Sequence, residues 1–398
     1  MILRLIVSIL IFMSALASAS YCSKDLEPQT DCRYFNGYKP CRRNPICNGQ
    51  CPQFVAIGKR IVIVHLEALG AVLRSTALLP AIHREYPGAI ITWVTKAPAQ
   101  LLLANNPLID RVFTVNPEDL MALKALEFDV AMVIDKSLVS AGIARELRAS
   151  ETRGFVADPR NGAIIPANPE AETLWRLGLS NDLKFNVNRK TEIQLTHEAL
   201  KLGDYKNDDY QVFLSPEEQK VAAARQAEWS EQGRKKVIGL NTGCSAAGVP
   251  YKKMSVEGQR RLIDEIHADS RFRDVNVVLL GGKEDSERNV EIGKDKNVIQ
   301  SPTTQGLRDG LASTAAVDAV FSGDSLGMHM AIGLKKQTVA WFGPTCAHEI
   351  ELFGRGEAIL SKASCGPCWS RTCSKPVMCY DQIDHSEVLN ALDRALKR

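Results

Sequence analysis

Four short stretches in the second half of the chain carry residue types that hold phosphorylated ligands. In "AVFSGDSLGMHMAIGL" an apolar run ends at Gly323-Asp324, and a helical pattern opens at Ser325. The first N–H groups of such a helix, those of Ser325, Leu326 and Gly327, lack partners inside it. With the helix dipole they suit a diphosphate. Asp324 reads as the N-cap, and His329 follows within one turn, near enough to touch the ligand. In "WFGPTCAHEIELFG", Gly343-Pro344-Thr345 is a tight turn that presents backbone groups and a hydroxyl to a nucleotide. In "GLNTGCSAAGVPYKKMS", Asn241, Thr242 and Gly243 form a polar strand-to-loop transition, and Lys252 or Lys253 reaches a phosphate as a point charge. In "LLGGKEDSERN", Gly281 and Gly282 precede Glu284, whose carboxylate either accepts hydrogen bonds from a ribose or caps the next helix. Each motif is weak alone. Four at successive strand ends read as a nucleotide-binding domain, although neither G-x-G-x-x-G nor a Walker loop occurs.

These motifs need strands to end on. "KKVIGLN", "VNVVLLGG", "AVFSGD" and "TVAWFG" are short runs rich in β-branched residues. The helical segments "SVEGQRRLIDEIHAD", "EDSERNVEIG", "LRDGLAST" and "SLGMHMAIGL" accompany them. The first half repeats the plan with "RIVIVHL", "AIITWVT", "RVFTV" and "DVAMVID". Such alternation predicts α/β architecture with two doubly wound parallel sheets facing each other across a cleft. The boundary falls around residues 185–235, where "SPEEQKVAAARQAEWSEQG" opens with a capping box. The layout is a signal-like apolar segment (1–20), a Cys-rich extension (21–57), a first Rossmann-like domain (58–190), a linker with a helix (191–234), a second Rossmann-like domain (235–364), and a Cys-rich loop with a C-terminal helix (365–398). That last helix, "HSEVLNALDRALK", is amphipathic and is expected to cross back onto the first domain.

At 398 residues, 45% apolar and 24% charged, the composition is that of a soluble globular protein of about two domains, and the net charge of +3 gives no reason to expect nucleic acid. The N-terminus, "MILRLIVSILIFMSALASAS", has the layout of a secretory signal. Eleven cysteines cluster at the two ends of the chain: Cys22, Cys32, Cys41, Cys47 and Cys51, then Cys365, Cys368, Cys373 and Cys379, with Cys244 and Cys346 apart. In an exported chain the clusters read as disulfides. In the cytosol "CGPCWSRTCSKPVMC" reads as a structural zinc or iron–sulfur site, or as reduced thiols.

Near the start of the first domain, "EALGAVLRS" turns from strand to helix around Gly70. With "LGAVLRSTALLPAIHREYPGAIITWVT", "GLNTG", "KKMS", "GGKEDSERN", "GDSLGMHMAIGLKKQTVAWFGPT" and "HEIELFG", the chain resembles glycosyltransferase family 9, the ADP-heptose:lipopolysaccharide heptosyltransferases. The cysteine pattern resembles a subset of that family. The resemblance implies a GT-B fold, with the donor on the second domain and the acceptor on the first. It implies inverting transfer of heptose from ADP-heptose to a lipid-linked Kdo–lipid A acceptor at the inner-membrane surface, with no catalytic metal. Asp324 and the following amides would hold the diphosphate, and His329, Thr345, Thr242 and Lys253 would line the donor pocket. Family members carry an aspartate, taken as the base, where this chain has Ala71. Glu67 and His65 are the candidate replacements. Arg74 would bind an acidic acceptor group, or else is a solvated surface charge. Met254 stands where tryptophan is common and affects packing under the donor loop. Nucleotide sugars place the enzyme at the cytosolic face of the inner membrane, against the export reading of residues 1–20. Two other functions compete: a nucleotide-sugar epimerase, for which no acid–base cluster around a sugar is evident, and a binding protein that has lost its base.

Overall fold

The computed structural model describes residues 28–244 and 250–398. The signal-like segment and Cys22 lie outside the described residues. The chain divides into two compact units, one ending at Arg60 and including Tyr86–Ile90, the other comprising Ile61–Glu85 and Ile91–Arg398.

The described part of the first unit is turn-rich, as its Gly, Pro, Asn and Cys content predicts. A single antiparallel bridge joins Cys32 to Ala56. Flanking it, Arg33 N–H donates to Val55 O (2.7 Å) and Ile57 N–H to Asp31 O (2.9 Å). The Arg43 guanidinium lies 4.1 Å from the Tyr34 ring centre, and Cys32, Cys41, Cys47 and Cys51 line one small cavity.

The second unit carries almost all of two six-stranded sheets. The strands of the first are β1 (Arg60–Val64), β2 (Ile90–Thr95), β3 (Arg111–Thr114), β4 (Glu127–Val133), β5 (Arg148–Ala157) and β6 (Ile164–Pro166). Those of the second are β7 (Lys236–Asn241), β8 (Val275–Leu280), β9 (Ile299–Gln300), β10 (Ala319–Gly323), β11 (Gln337–Phe342) and β12 (Gly356–Leu360). The orders are β3-β2-β1-β4-β5-β6 and β12-β11-β10-β7-β8-β9. Both are the doubly wound Rossmann order, the second read in reverse. Every pair in the second sheet is parallel. In the first, β6 runs antiparallel to β5. Strands β1, β2 and β7 are buried nearly throughout, which is why they read as continuous apolar runs rather than alternating ones. Each fully buried Val, Leu or Ile side chain contributes about 1.5–3 kcal/mol.

Two expectations about helices meet different ends. The capping box at Ser215 is present: Ser215 Oγ accepts from the Glu218 N–H (3.2 Å), and the Glu218 carboxylate accepts from the Ser215 N–H (2.7 Å). The helix it starts, Pro216–Trp229, packs with the second sheet through Trp229 and an Arg225–Asp309 ion pair of 2.8 Å. The C-terminal helix His385–Leu396 does not cross back onto the first sheet. Val388, Ala391, Leu392 and Ala395 join the core formed by β7, β8, β10 and β11. Its apolar stripe matches the open face of that sheet, and Arg394 pairs with Glu357 on β12 (2.6 Å). Met254 is buried in the same core. Among the described residues no helix is long and apolar enough to cross a membrane.

Candidate active site

Each sheet reverses its winding beside its first strand, between β1 and β4 and between β7 and β10. Ligands of open α/β sheets bind outside the carboxyl ends of strands at such points. His65 and Glu67 follow β1, Thr242 and Gly243 follow β7, and Asp324 and Ser325 follow β10. Gly282 and Glu284 follow β8, and Gly343 and Thr345 follow β11. Of the other residues singled out along the sequence, Ala71, Arg74, Leu326, Gly327 and His329 lie on helices, and Lys252, Lys253 and Met254 on the segment between β7 and the helix Val256–Ala268.

On the second sheet, the helix Leu326–Gly333 is capped by Ser325, whose hydroxyl accepts from the Met328 N–H (3.4 Å). Asp324 is not the cap. Its carboxylate turns to Lys252, with Nζ at 2.8 Å and the two side chains 11% and 18% exposed. Burial pushes the Asp324 carboxyl up, but Lys252 and its other neighbours outweigh this and hold it below the usual range. The Leu326 and Gly327 N–H groups sit at positions with no intrahelical acceptor. Gly327 is glycine because a Cβ would lie 2.4 Å from the Asn241 side chain, which itself donates to Gly243 O (2.9 Å) and Ser325 Oγ (3.0 Å). The buried Thr345 hydroxyl lies beside Asp324 and helps hold its carboxyl low.

Several other candidates are turned elsewhere. The Thr242 hydroxyl is fully buried and committed to Leu280 O (3.1 Å) and Asn289. Glu284 is exposed, whereas its neighbour Asp285 is buried, accepts from the Gly282 N–H (2.9 Å), and sits where a Cβ on Gly243 would be, 2.0 Å away. Asp285, not anticipated, has its carboxyl raised by burial. Lys253 is near Asp285 and Cys244. Gly343 packs on the C-terminal cysteine loop, where a Cβ would meet Cys379 Sγ at 2.9 Å.

On the first sheet, the turn after β1 is tied by Asp135, just past the end of β4, which sequence reasoning missed. Its carboxylate accepts from the Leu66 N–H and lies 3.7 Å from His65 Nε2. Burial raises Asp135 to about 6. Burial, then the Arg74 charge, lowers His65 to about 3. An imidazole so weakly basic is a poor proton acceptor for an alcohol. Glu67 points outward, 64% exposed, with Lys96 Nζ at 2.7 Å.

The two halves meet between the helices Leu69–Ser75 and Leu326–Gly333. A Cβ on Gly70 would lie 2.5 Å from His329 Cδ2, so only glycine fits the seam. His329 is buried, with Nδ1 3.1 Å from the Tyr210 hydroxyl, and burial first, then Arg74, lowers it to about 3. It is a piece of the seam more than an open ligand contact. Arg74 is no solvated charge: it is 9% exposed and pairs with Glu192 at 2.7 Å. Burial disfavours the guanidinium's charge, but Glu192, Tyr210, Asp324 and Glu349 outweigh that. Lys184 adds a second cation, 3.4 Å from Glu349. The connector between the sheets is held from both sides. The Gln211 N–H donates to Thr76 Oγ1 (2.9 Å) in the first half, and Asp209 pairs with Lys335 (3.4 Å) in the second.

The buried imidazoles set a pH dependence. Unfolded, His65 and His329 take up protons below about 6.5, whereas folded they do so only near 3. Between those values the unfolded chain binds more protons, so stability falls as pH falls. Asp135 opposes this, because its raised folded value favours the native state on acidification between 3.8 and about 6. Two histidines against one carboxyl leave a net loss of about 2 kcal/mol from pH 7 to pH 5. Denaturant midpoints at the two pH values measure it. Equal midpoints would contradict the burial of both rings.

The ten described cysteines form no disulfide with one another. Cys365, Cys368 and Cys373 are close enough to Cys379 that, after burial, they help raise its thiol to about 11. Among the described residues, no three His, Cys, Asp or Glu side chains are placed to hold a metal ion, so the zinc or iron–sulfur reading of this loop gains no support from its geometry.

Two Rossmann-ordered sheets with charged groups gathered at their switch points make up a GT-B fold. The family model for glycosyltransferase family 9 (heptosyltransferase) matches residues 120–378, more than half of the chain, and the chain belongs to that family. Among solved structures, a family 9 glycosyltransferase from Veillonella parvula is 18% identical over 85% of this chain and 97% of its own, with a TM-score of 0.64. The E. coli ADP-heptose lipopolysaccharide heptosyltransferase II is 20% identical over 85% and 98%, with a TM-score of 0.62. The E. coli heptosyltransferase WaaC, solved with ADP, is 16% identical over 85% and 100%, with a TM-score of 0.57. No curated protein matches the chain in sequence.

Proposed function

We propose that the protein transfers heptose with inversion from ADP-heptose to a lipopolysaccharide inner-core acceptor of the Kdo–lipid A type, at the cytosolic face of the inner membrane. The observation that carries this is the buried Lys252–Asp324 pair beside the open N–H groups of Leu326 and Gly327. A cation and helix amides converging at the β10 switch point match a nucleoside diphosphate leaving group. The heptosyltransferase family and the relative solved with ADP support adenine and heptose as its other parts. The acceptor hydroxyl attacks the anomeric carbon from the face opposite ADP. The C–O bond to the diphosphate breaks and ADP takes its electron pair, while the hydroxyl proton passes to the Glu67 carboxylate. Asp135 holds the loop that carries Glu67. Positive charge for the leaving diphosphate comes from Lys252, Lys184 and the helix N-terminus. Arg74 faces the acceptor side.

The test is calorimetry with ADP, followed by transfer from ADP-heptose. Wild-type protein should bind ADP, and Lys252→Met should weaken it about 10–100-fold, the scale of losing one charge-assisted contact. Protein that ignores ADP, or binds it equally well without Lys252, overturns the donor-site reading.

A further inference from the structure

Of the two large aromatic residues on the cysteine-rich loop, Tyr380 packs against the core of the second sheet, whereas neither that core nor the proposed reaction accounts for Trp369. It is 37% exposed, so it is not a packing residue in the ordinary sense. Its backbone is left-handed, with φ at +51°, a rare conformation for a bulky side chain. Strain of this kind persists only where the surroundings impose it, and it clusters at functional sites. What imposes it is visible. The N–H groups of Cys368 and Trp369 both donate to Pro344 O (3.1 and 2.8 Å), in the turn that also carries Gly343 and Thr345. The loop is braced on the donor side at two more points: the Cys373 N–H donates to the Tyr251 hydroxyl (3.1 Å), and Ser255 Oγ donates to Asp381 (3.0 Å).

The indole so placed meets two ammonium groups. Lys184 Nζ, from the first half, lies 4.1 Å from the ring centre, and Lys252 Nζ, from the second, lies 5.4 Å from it. Each lysine also has its own carboxylate, Glu349 and Asp324. Two like charges brought to one ring repel. The carboxylates and the negative face of the indole offset that repulsion, and the ring sets where the two ammonium groups stop.

We propose that Trp369 is a positioning residue of the donor site. It holds Lys184 and Lys252, one from each half of the molecule, where both meet the diphosphate. This rests on the donor-site reading above, and it makes the cysteine-rich loop a wall of that site rather than an appendage.

The experiment titrates ADP into the full chain carrying Trp369→Phe, Trp369→Leu, Lys184→Met with Lys252→Met, or Trp369→Leu with both lysine substitutions. Phenylalanine keeps the aromatic face and should stay within about threefold of wild type. Leucine keeps apolar bulk without the face and should weaken ADP about tenfold, the scale of two partly exposed cation–π contacts. With both lysines already methionine, Trp369→Leu should cost nothing further. Leucine and phenylalanine weakening ADP equally, or leucine having the same effect with and without the lysines, overturns the proposal by making Trp369 merely structural. Leucine binding ADP like wild type overturns it too. Wild-type protein that does not bind ADP overturns the donor-site reading and this inference with it.

Discussion

Glu67→Gln is expected to slow heptose transfer on the order of 10²–10⁴-fold, the usual cost of a lost general base, while ADP binds as before. Ala71 stands where the resemblance to the family implies a basic aspartate, and alanine takes no proton, so the proposed mechanism needs another acceptor. Three groups surround that turn. His65 is held near 3 and would surrender any proton it took. Asp135 is half-buried, and its carboxylate is spent on the backbone it anchors. Glu67 alone is mostly exposed, with Lys96 Nζ at 2.7 Å to orient it. Glutamine has the same shape without the basic oxygen, so the loss belongs to kcat. Adding Ala71→Asp on top of Glu67→Gln should recover part of the rate. Transfer at the wild-type rate by Glu67→Gln would remove Glu67 from the mechanism, and recovery failing in the double variant would place the acceptor away from the helix Leu69–Ser75.

The second large effect falls on stability. Arg74→Met should lower the unfolding free energy by about 1–3 kcal/mol, less than for a fully buried pair because Glu192 keeps part of its surface in water. Methionine fills the space, but Glu192 loses the charge that offsets its desolvation. The companion substitution Glu192→Gln, placed on top, should return much of the loss. Chemical denaturation of Arg74→Met, Glu192→Gln alone and the double variant checks this. Additive losses would mean that the two side chains do not act as a pair.

The sequence announced its strands and most of its helices because the evidence for them is local. Buried parallel strands are apolar runs, and a capping box such as Ser215–Glu218 is written within four residues. The strand ends were legible for the same reason. What happens at those ends was only half legible. Asp324 looked like a cap because it follows a strand, but Ser325, one residue on, takes the role and frees Asp324 for Lys252. Thr242 looked like a pocket residue, yet a partner 47 residues away claims its hydroxyl inside the core. Tyr210 meets His329 across 119 positions, and nothing near either residue marks the meeting. Arg74 with Glu192, and Trp369 with Lys184, belong to the same class. Such pairings exist only once two independently patterned halves have been brought together.

The seam at Gly70 has a further meaning. A Cβ there would come within 2.5 Å of His329 Cδ2, and the contact lies between two helices, one from each half. A methyl group at position 70 cannot be absorbed by rotating a side chain, because glycine has none and His329 is fixed by Tyr210. It must be absorbed by moving one helix away from the other. Position 70 is therefore a spacer: the size of the residue placed there sets how far apart the helices Leu69–Ser75 and Leu326–Gly333 stand.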